Sequence, residues 1–142
     1  MKRIFIANKI ETSAGELMIK RVFGLENSHC AKYSRILAQE LFNIEYPAVD
    51  AWNLPLHLES YQFNEKSIGI GDLILFYNPK SRFNKRLDEA SKPIIGTHTV
   101  LYLGDNKYEE KLFAHQYIDS QEILTLDELI MYKLEPKLIL RK

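Results

Sequence analysis

The sequence predicts an α+β fold in which N-terminal helices pack on a small antiparallel β-sheet. An amphipathic helical pattern spans 31–42, a continuous apolar run of strand length follows at 73–77, and the clearest strand pattern lies at 97–103. The helical patterns come first along the chain and the strand patterns follow. This segregation is typical of α+β proteins rather than of proteins that alternate strands and helices.

The N-terminal elements are predicted from caps and periodicity. Residues 3–7 alternate loosely, which favours a short strand. Ser13 and Glu16 have capping-box spacing, so we expect a helix over 14–23 that ends at Gly24.

The second helix, 31–42, follows Asn27 and Ser28, either of which can cap it. Its apolar positions recur every three or four residues, at Tyr33, Ile36, Leu37, Leu41 and Phe42. The segment 45–70, interrupted by prolines, is expected to be irregular.

The C-terminal half predicts the sheet. The period of two in 97–103 places His98, Val100 and Tyr102 on one face and the intervening residues on the other. The remaining predicted elements are a turn at 69–72, a surface loop at 78–93, a turn at 104–106, a partner strand at 111–118, a short helix at 126–132 and a last strand at 137–141.

Length and composition limit the class of protein. A chain of 142 residues fits one domain, 1–142, and 46% hydrophobic residues are enough for a buried core. Lys plus Arg and Asp plus Glu number 19 each, and the balanced charge argues against a dedicated nucleic-acid binder. No zinc-type spacing is present, so neither a metal ion nor another cofactor is expected.

The expected location is the cytoplasm. No apolar run is long enough to span a membrane, and the N-terminal apolar stretch is too short for a secretory signal. Delivery by lysis or by a specialised secretion system stays open, and so does the oligomeric state.

Cys30 is the only cysteine, so an internal disulfide is excluded and the thiol is either inert core or a nucleophile. It lies in the first turn of the predicted helix, where the positive end of the helix dipole favours a thiolate and the Cys30 N–H can bind an oxyanion. His98, at the start of a strand, is the best general base, and His115 can fix its tautomer.

Three blocks of sequence resemble the NlpC/P60 superfamily of papain-like cysteine peptidases and amidases. They are the nucleophile helix from Cys30, the Gly-Asp-Leu segment at 71–73, and the strand and turn from His98 to Gly104. The resemblance implies a papain-like fold in which Cys30 attacks an amide carbonyl, His98 acts as base and His115 orients it. It also implies a peptide or cell-wall fragment as substrate, usually a bacterial stem peptide cut next to D-glutamate.

The expected substrate contacts are Trp52, His29 and Thr97. Trp52, in an Asp-Ala-Trp-Asn segment similar to one in related amidases, either stacks on the ligand at the groove rim or anchors a loop. His29 and Ala31 flank the cysteine where the family often has Asp and Ser. Val100 replaces a small residue, which indicates a divergent branch with a narrower site.

Two other functions stay open. Departures from the family pattern are compatible with a catalytically silent binding module on the same fold. The same thioester chemistry can also serve acyl transfer, although lipid-directed relatives often place His before Cys. A basic loop with Lys80, Arg82, Lys85 and Arg86 either steers an anionic substrate or is an ordinary solvated loop.

Overall fold

A six-stranded antiparallel sheet forms the centre of the protein. The computed structural model describes residues 7–25 and 29–142. The sheet has the strand order β3-β8-β4-β5-β6-β7, and β1 and β2 form a separate hairpin. In chain order the elements are β1 (Ala7–Thr12), β2 (Gly15–Lys20), α1 (Cys30–Phe42), β3 (Glu59–Gln62), β4 (Leu73–Tyr77), β5 (His98–Asp105), β6 (Lys111–Tyr117), β7 (Ser120–Thr125), α2 (Leu126–Met131) and β8 (Glu135–Arg141), with 3₁₀ turns at Ala51–Leu56 and Glu65–Ser67.

The sheet is buried on both faces. On one side, which we call the α1 face, Leu101, Leu103 and Ala114 pack with α1 and the β1–β2 hairpin. On the other side, the α2 face, Val100 and Phe113 pack with α2. Each fully buried Leu or Phe contributes roughly 1.5–3 kcal/mol, so both layers stabilise the sheet substantially.

The main predicted elements are confirmed. The structure has a helix over Cys30–Phe42, strands over Leu73–Tyr77 and His98–Asp105, and a mostly antiparallel sheet with few helices. The predicted alternation in β5 is also confirmed, because its odd and even residues belong to the two opposite cores. The predicted partner strand, short helix and last strand correspond to β6, α2 and β8.

The predicted helix over 14–23 is wrong, because a β-hairpin occupies this segment. Gly15 has a φ of +102°, which a turn accepts and a helix does not. Leu17 and Ile19 are buried while Met18 between them is exposed, so the period is two rather than 3.6. The Ser13-to-Glu16 spacing therefore belongs to a hairpin turn rather than to a capping box.

The hairpin turn docks on β5. The Ser13 N–H donates to the Asp105 carbonyl at 2.9 Å, and the Thr12 hydroxyl donates to the Leu103 carbonyl at 2.8 Å. A Cβ at Gly104 would meet the Thr12 Oγ1 at 2.8 Å, so the close approach of the two segments requires glycine there. The predicted turn at 104–106 starts later, because β5 continues to Asp105.

Besides β1 and β2, the strands β3 and β7 were not predicted. β3 lies in the segment 45–70 that was expected to be irregular, and all its residues are exposed, which leaves no apolar alternation to recognise. β7 follows β6 through a two-residue turn at 118–119. The predicted caps Asn27 and Ser28 and most of the predicted strand 3–7 lie outside the described residues.

Across residues 7–25 and 29–142, the helices are too short or too polar for any of them to traverse a lipid bilayer.

Candidate functional site

A cleft of about 780 Å³ opens where the N-terminus of α1, the start of β5 and the end of β6 meet. Five of the six residues predicted for the site line it, namely Cys30, His98, His29, Trp52 and Thr97. The sixth, His115, does not line the cleft and lies behind His98 in the α2-face core. The fold thus brings into one cleft predicted site residues that are up to 69 positions apart in the sequence, from His29 to His98.

Cys30 is fixed at the first position of α1. The His29 carbonyl accepts the Tyr33 N–H at 2.9 Å and begins the helix. The Cys30 Sγ–H donates to the carbonyl of Thr97 at 3.5 Å, and one turn later the Ser34 hydroxyl donates to the carbonyl of Thr99 at 3.4 Å. These two bonds hold the start of the helix against the first residues of β5.

The backbone before His98 is fixed as tightly. The Thr97 N–H donates to the Phe76 carbonyl at 3.1 Å. Any Cβ at Gly96 would collide with that same carbonyl, so glycine is needed for the chain to pass β4 at this point. The position of His98 therefore follows from the pairing of β4 and β5.

Burial raises the pKa of the Cys30 thiol above its ordinary value. Hydrogen bonding with Thr99 and with the backbone N–H groups of Ala31 and Cys30 acts in the opposite direction, but burial outweighs it. The expectation of a thiolate stabilised by the helix N-terminus is therefore not met in the resting protein. Cys30 is a neutral thiol bonded to a carbonyl oxygen.

His98 is neutral for a related reason. Burial, and secondarily the positive charge of His115 when that residue is protonated, hold the pKa of His98 well below its usual range. The Nε2 atom of His98 lies 2.9 Å from Nδ1 of His115. The remaining nitrogen, Nδ1, is therefore the one available for proton exchange in the cleft.

The hydrogen-bond chain continues beyond His115. Its Nε2 lies 3.0 Å from the Oε1 of Glu122, and the Tyr132 hydroxyl donates to Glu122 Oε1 and Oε2 at 2.9 and 3.0 Å. His115 and Glu122 are directly opposite each other on β6 and β7. We call the series His98, His115, Glu122 and Tyr132 the relay.

Glu122 and Tyr132 were missed from the sequence because β7 was not predicted. A two-residue turn at 118–119 places position 115 opposite position 122, so the spacing was available as a signal. The turn was not recognised because Ile118 occupies it. Ile118 adopts a φ of +56°, a conformation that β-branched residues rarely adopt. A turn signal of the usual composition was therefore absent.

Gln116 lies next to His115 but on the opposite face of the sheet, and it also lines the cleft. Gln121 Nε2 donates to the Gln116 Oε1 at 3.1 Å and to the Val22 carbonyl at 2.7 Å, and Gln121 Oε1 accepts the Val22 N–H at 2.9 Å. We call Gln116, Gln121 and Val22 the clamp. It ties the segment that precedes α1 to the sheet.

The outer wall of the cleft is aromatic and basic. The Trp52 ring packs on Phe83 at a centroid distance of 5.3 Å, and the Arg86 guanidinium lies 5.6 Å from the Trp52 centroid. Trp52 therefore anchors the loop and also lines the cleft. Among the described residues that line the cleft, four are cationic and two acidic: Lys32, Arg35, Lys80 and Arg82 against Asp50 and Glu89.

Comparisons with protein-family models, with curated proteins and with solved structures find no match to this chain. Within the described residues, no group of three or more His, Cys, Asp or Glu side chains is arranged to hold a metal ion.

Proposed function

We propose that this protein is a papain-like cysteine peptidase or amidase of the NlpC/P60 type. The observation that carries the proposal is the shared cleft: Cys30 at a helix N-terminus and His98 at a strand start line the same cavity, and His115 bonds to the far side of His98. A thiol, an imidazole and a third group that orients the imidazole form the arrangement of nucleophilic catalysis.

In the proposed reaction the neutral thiol and neutral imidazole act together. The Cys30 Sγ attacks the amide carbonyl carbon while His98 Nδ1 takes the thiol proton, and the carbonyl oxygen becomes an oxyanion near the first N–H groups of α1. The resulting imidazolium gives its proton to the leaving amine, and a thioester with Cys30 remains. Water, deprotonated by His98, then hydrolyses the thioester and restores the thiol.

The resting thiol must first leave its bond to the Thr97 carbonyl. No hydrogen bond between Cys30 Sγ and His98 is present in the part of the chain that the structure describes, so attack requires the Sγ–H to turn from Thr97 to His98 Nδ1. In the proposed reaction this change is a rotation of the thiol between staggered rotamers of Cys30.

The proposed substrate is an anionic peptide, such as a cell-wall stem peptide that contains D-glutamate. Cations outnumber carboxylates on the described cleft wall, and Glu89 is hydrogen-bonded to His57. An excess of positive charge in a cleft raises the local concentration of anionic ligands.

The test is hydrolysis of stem peptides with free or amidated carboxylates, followed by mass spectrometry. We expect cleavage by the natural chain, loss of cleavage in Cys30→Ala, and a higher KM for the amidated peptides. Ser34→Ala is the matched control, since it removes a hydrogen bond from the same helix to the same strand but leaves the thiol. Cleavage that persists in Cys30→Ala would contradict the assignment of the nucleophile.

A binding module without catalysis is the second candidate, because the raised pKa of Cys30 and its bond to the Thr97 carbonyl describe an unreactive thiol. Calorimetric titration separates the two functions. The binding module predicts equal affinity for stem peptides in the natural chain and in Cys30→Ala, with no product in either. Since Cys30 is the only cysteine, its rate of alkylation by iodoacetamide also measures its reactivity directly.

A further inference from the structure

The relay ends on two residues that lie outside the lining of the cleft. Glu122 is only 4% exposed, His115 is fully buried, and neither Glu122 nor Tyr132 lines the cleft. A carboxyl group in such a position needs hydrogen-bonding partners, and His115 Nε2 and the Tyr132 hydroxyl both supply them. The consequence for His98 follows from counting the protons in the chain.

When Glu122 is ionised, its carboxylate accepts hydrogen bonds and donates none. The bond of 3.0 Å to Glu122 therefore places a proton on Nε2 of His115, and a neutral His115 then has a bare Nδ1. That bare nitrogen lies 2.9 Å from His98 Nε2, so the proton of this bond belongs to His98. A neutral His98 with a proton on Nε2 has a bare Nδ1, the nitrogen that a general base requires.

We propose that Glu122, held by Tyr132, is a positioning residue that sets the direction of the relay and so leaves His98 Nδ1 unprotonated toward the cleft. This inference rests on the proposed function, in which His98 is the base. It extends the site two residues beyond the cysteine and the two histidines.

The direction of the relay can reverse if Glu122 is lost. In Glu122→Leu the acceptor of the His115 Nε2–H is absent, whereas the Tyr132 hydroxyl remains as a donor. Moving the proton of His115 to Nδ1 frees Nε2 to accept from Tyr132 and makes Nδ1 the donor to His98 Nε2. His98 then carries its proton on Nδ1 and cannot take the thiol proton there.

The experiment reads the tautomers by long-range ¹H–¹⁵N correlation spectra, recorded without substrate at a pH at which both histidines are neutral. We expect protons on Nε2 of His98 and of His115 in the natural chain. The opposite pattern would overturn the inference without any variant, so the test survives a variant that fails to fold. In Glu122→Leu we expect both protons on Nδ1.

Kinetics supply a second readout. We expect kcat of Glu122→Leu to fall by roughly 10²-fold or more, the range over which a positioned general base acts, with KM unchanged because Glu122 does not line the cleft. Glu122→Asp keeps the acceptor and should retain the natural tautomer and part of the rate. A tautomer that stays natural in folded Glu122→Leu, or a drop in rate that appears in KM, would overturn the inference.

Glu128→Gln is the control for structural damage. Glu128 completes the capping box of α2, the helix that ends immediately before Tyr132. Glu128 is not one of the four residues of the relay. We expect its tautomers and kcat to match those of the natural chain. Failure of the proposed function is distinguishable from failure of this inference. The proposed function fails if no Cys30-dependent hydrolysis is found, whereas the tautomers are read with no substrate present.

Discussion

The β6–β7 hairpin carries two polar pairs in adjacent register positions, one on each face of the sheet. His115 lies opposite Glu122 on the α2 face, and Gln116 lies opposite Gln121 on the α1 face. All four side chains are buried, with exposures between 0 and 7%. Burial and register therefore do not distinguish the two pairs.

The partners of the two pairs differ. The hydrogen bonds of the histidine pair lead to His98, whereas those of the glutamine pair lead to both backbone groups of Val22. Gln116 itself also lines the cleft. An imidazole can gain or lose a proton near neutral pH, and an amide cannot. The atom at which each hydrogen-bond chain ends therefore separates the proposed relay from the clamp.

The largest expected effect comes from breaking the relay at its centre. In His115→Leu, His98 loses the group that orients it, so we expect kcat for stem-peptide hydrolysis to fall by roughly 10²-fold or more. Gln121→Leu, on the other face of the same hairpin, should retain a kcat within a few-fold of the natural value when both variants are assayed well below their unfolding temperatures. Equal rates in the two variants would remove the functional distinction between the faces.

Breaking the clamp should affect stability instead. Gln121→Leu leaves the N–H and the carbonyl of the half-buried Val22 without their side-chain partner. An unsatisfied buried group costs about 1–3 kcal/mol, and the cost is lower where water can replace the lost partner. We expect the free energy of unfolding in urea to fall by about 2 kcal/mol. Gln39→Leu, which removes an exposed Gln39–Asn43 hydrogen bond, is the control and should change it by under about 0.5 kcal/mol. A loss no larger than the control would show that the clamp is dispensable.

The sequence predicted the parts of this comparison that depend on local pattern. Periodicity identified α1, β5 and β6, and a continuous apolar run identified β4. The alternation in β6 placed His115 and Gln116 on opposite faces. The periodic assignments required only a repeat of 3.6 or of two residues, which side-chain burial imposes on a helix or on a strand with two different faces.

The sequence did not predict what depends on turns and on burial. Ser13 and Glu16 match a capping box and so predict a helix over 14–23. The segment forms a β-hairpin instead, because Gly15 adopts a positive φ and the turn docks on β5. Glu122 could not be placed without the turn at 118–119. The raised pKa of Cys30 arises from burial by the whole fold, so its position at a helix start gave the wrong direction.

The pH dependence of stability should separate the titratable relay from the clamp. The pKa of His98, whose ring faces His115 and Tyr117, is lower in the folded protein than its unfolded value near 6.5, so below about pH 6.5 the unfolded chain binds a proton that the folded chain refuses. This contribution is present above about pH 6.5 and decreases by up to about 1.4 kcal/mol per pH unit as the pH falls toward the folded pKa.

Urea unfolding across this acid range checks the prediction. In His98→Gln the slope should decrease by about one proton, whereas in Gln121→Leu the curve should shift downward with its slope unchanged. An unchanged slope in His98→Gln would mean that His98 does not have its depressed pKa. Cys30→Ser tests the alkaline range. Because burial raises the pKa of the Cys30 thiol, the thiol stabilises the fold below about pH 8.5, and this contribution decreases as the pH rises. The contribution is absent in Cys30→Ser.

The smallest expected effect concerns the turn that both faces share. Ile118 has a φ of +56°, a conformation that costs residues with a Cβ roughly 1–2 kcal/mol and that asparagine tolerates better. We expect Ile118→Asn to raise the free energy of unfolding by up to about 1 kcal/mol and Tm by roughly 2–5 °C, while Ile118→Val, which stays β-branched, gains nothing. Neither the His115–Glu122 nor the Gln116–Gln121 pairing changes in Ile118→Asn, so kcat should stay constant.

Ile118 also lines the cleft and is 54% exposed, so a change in KM without a change in kcat would identify it as a substrate contact. A Tm that falls below that of Ile118→Val would show that the side chain contributes more through packing than its backbone strain costs.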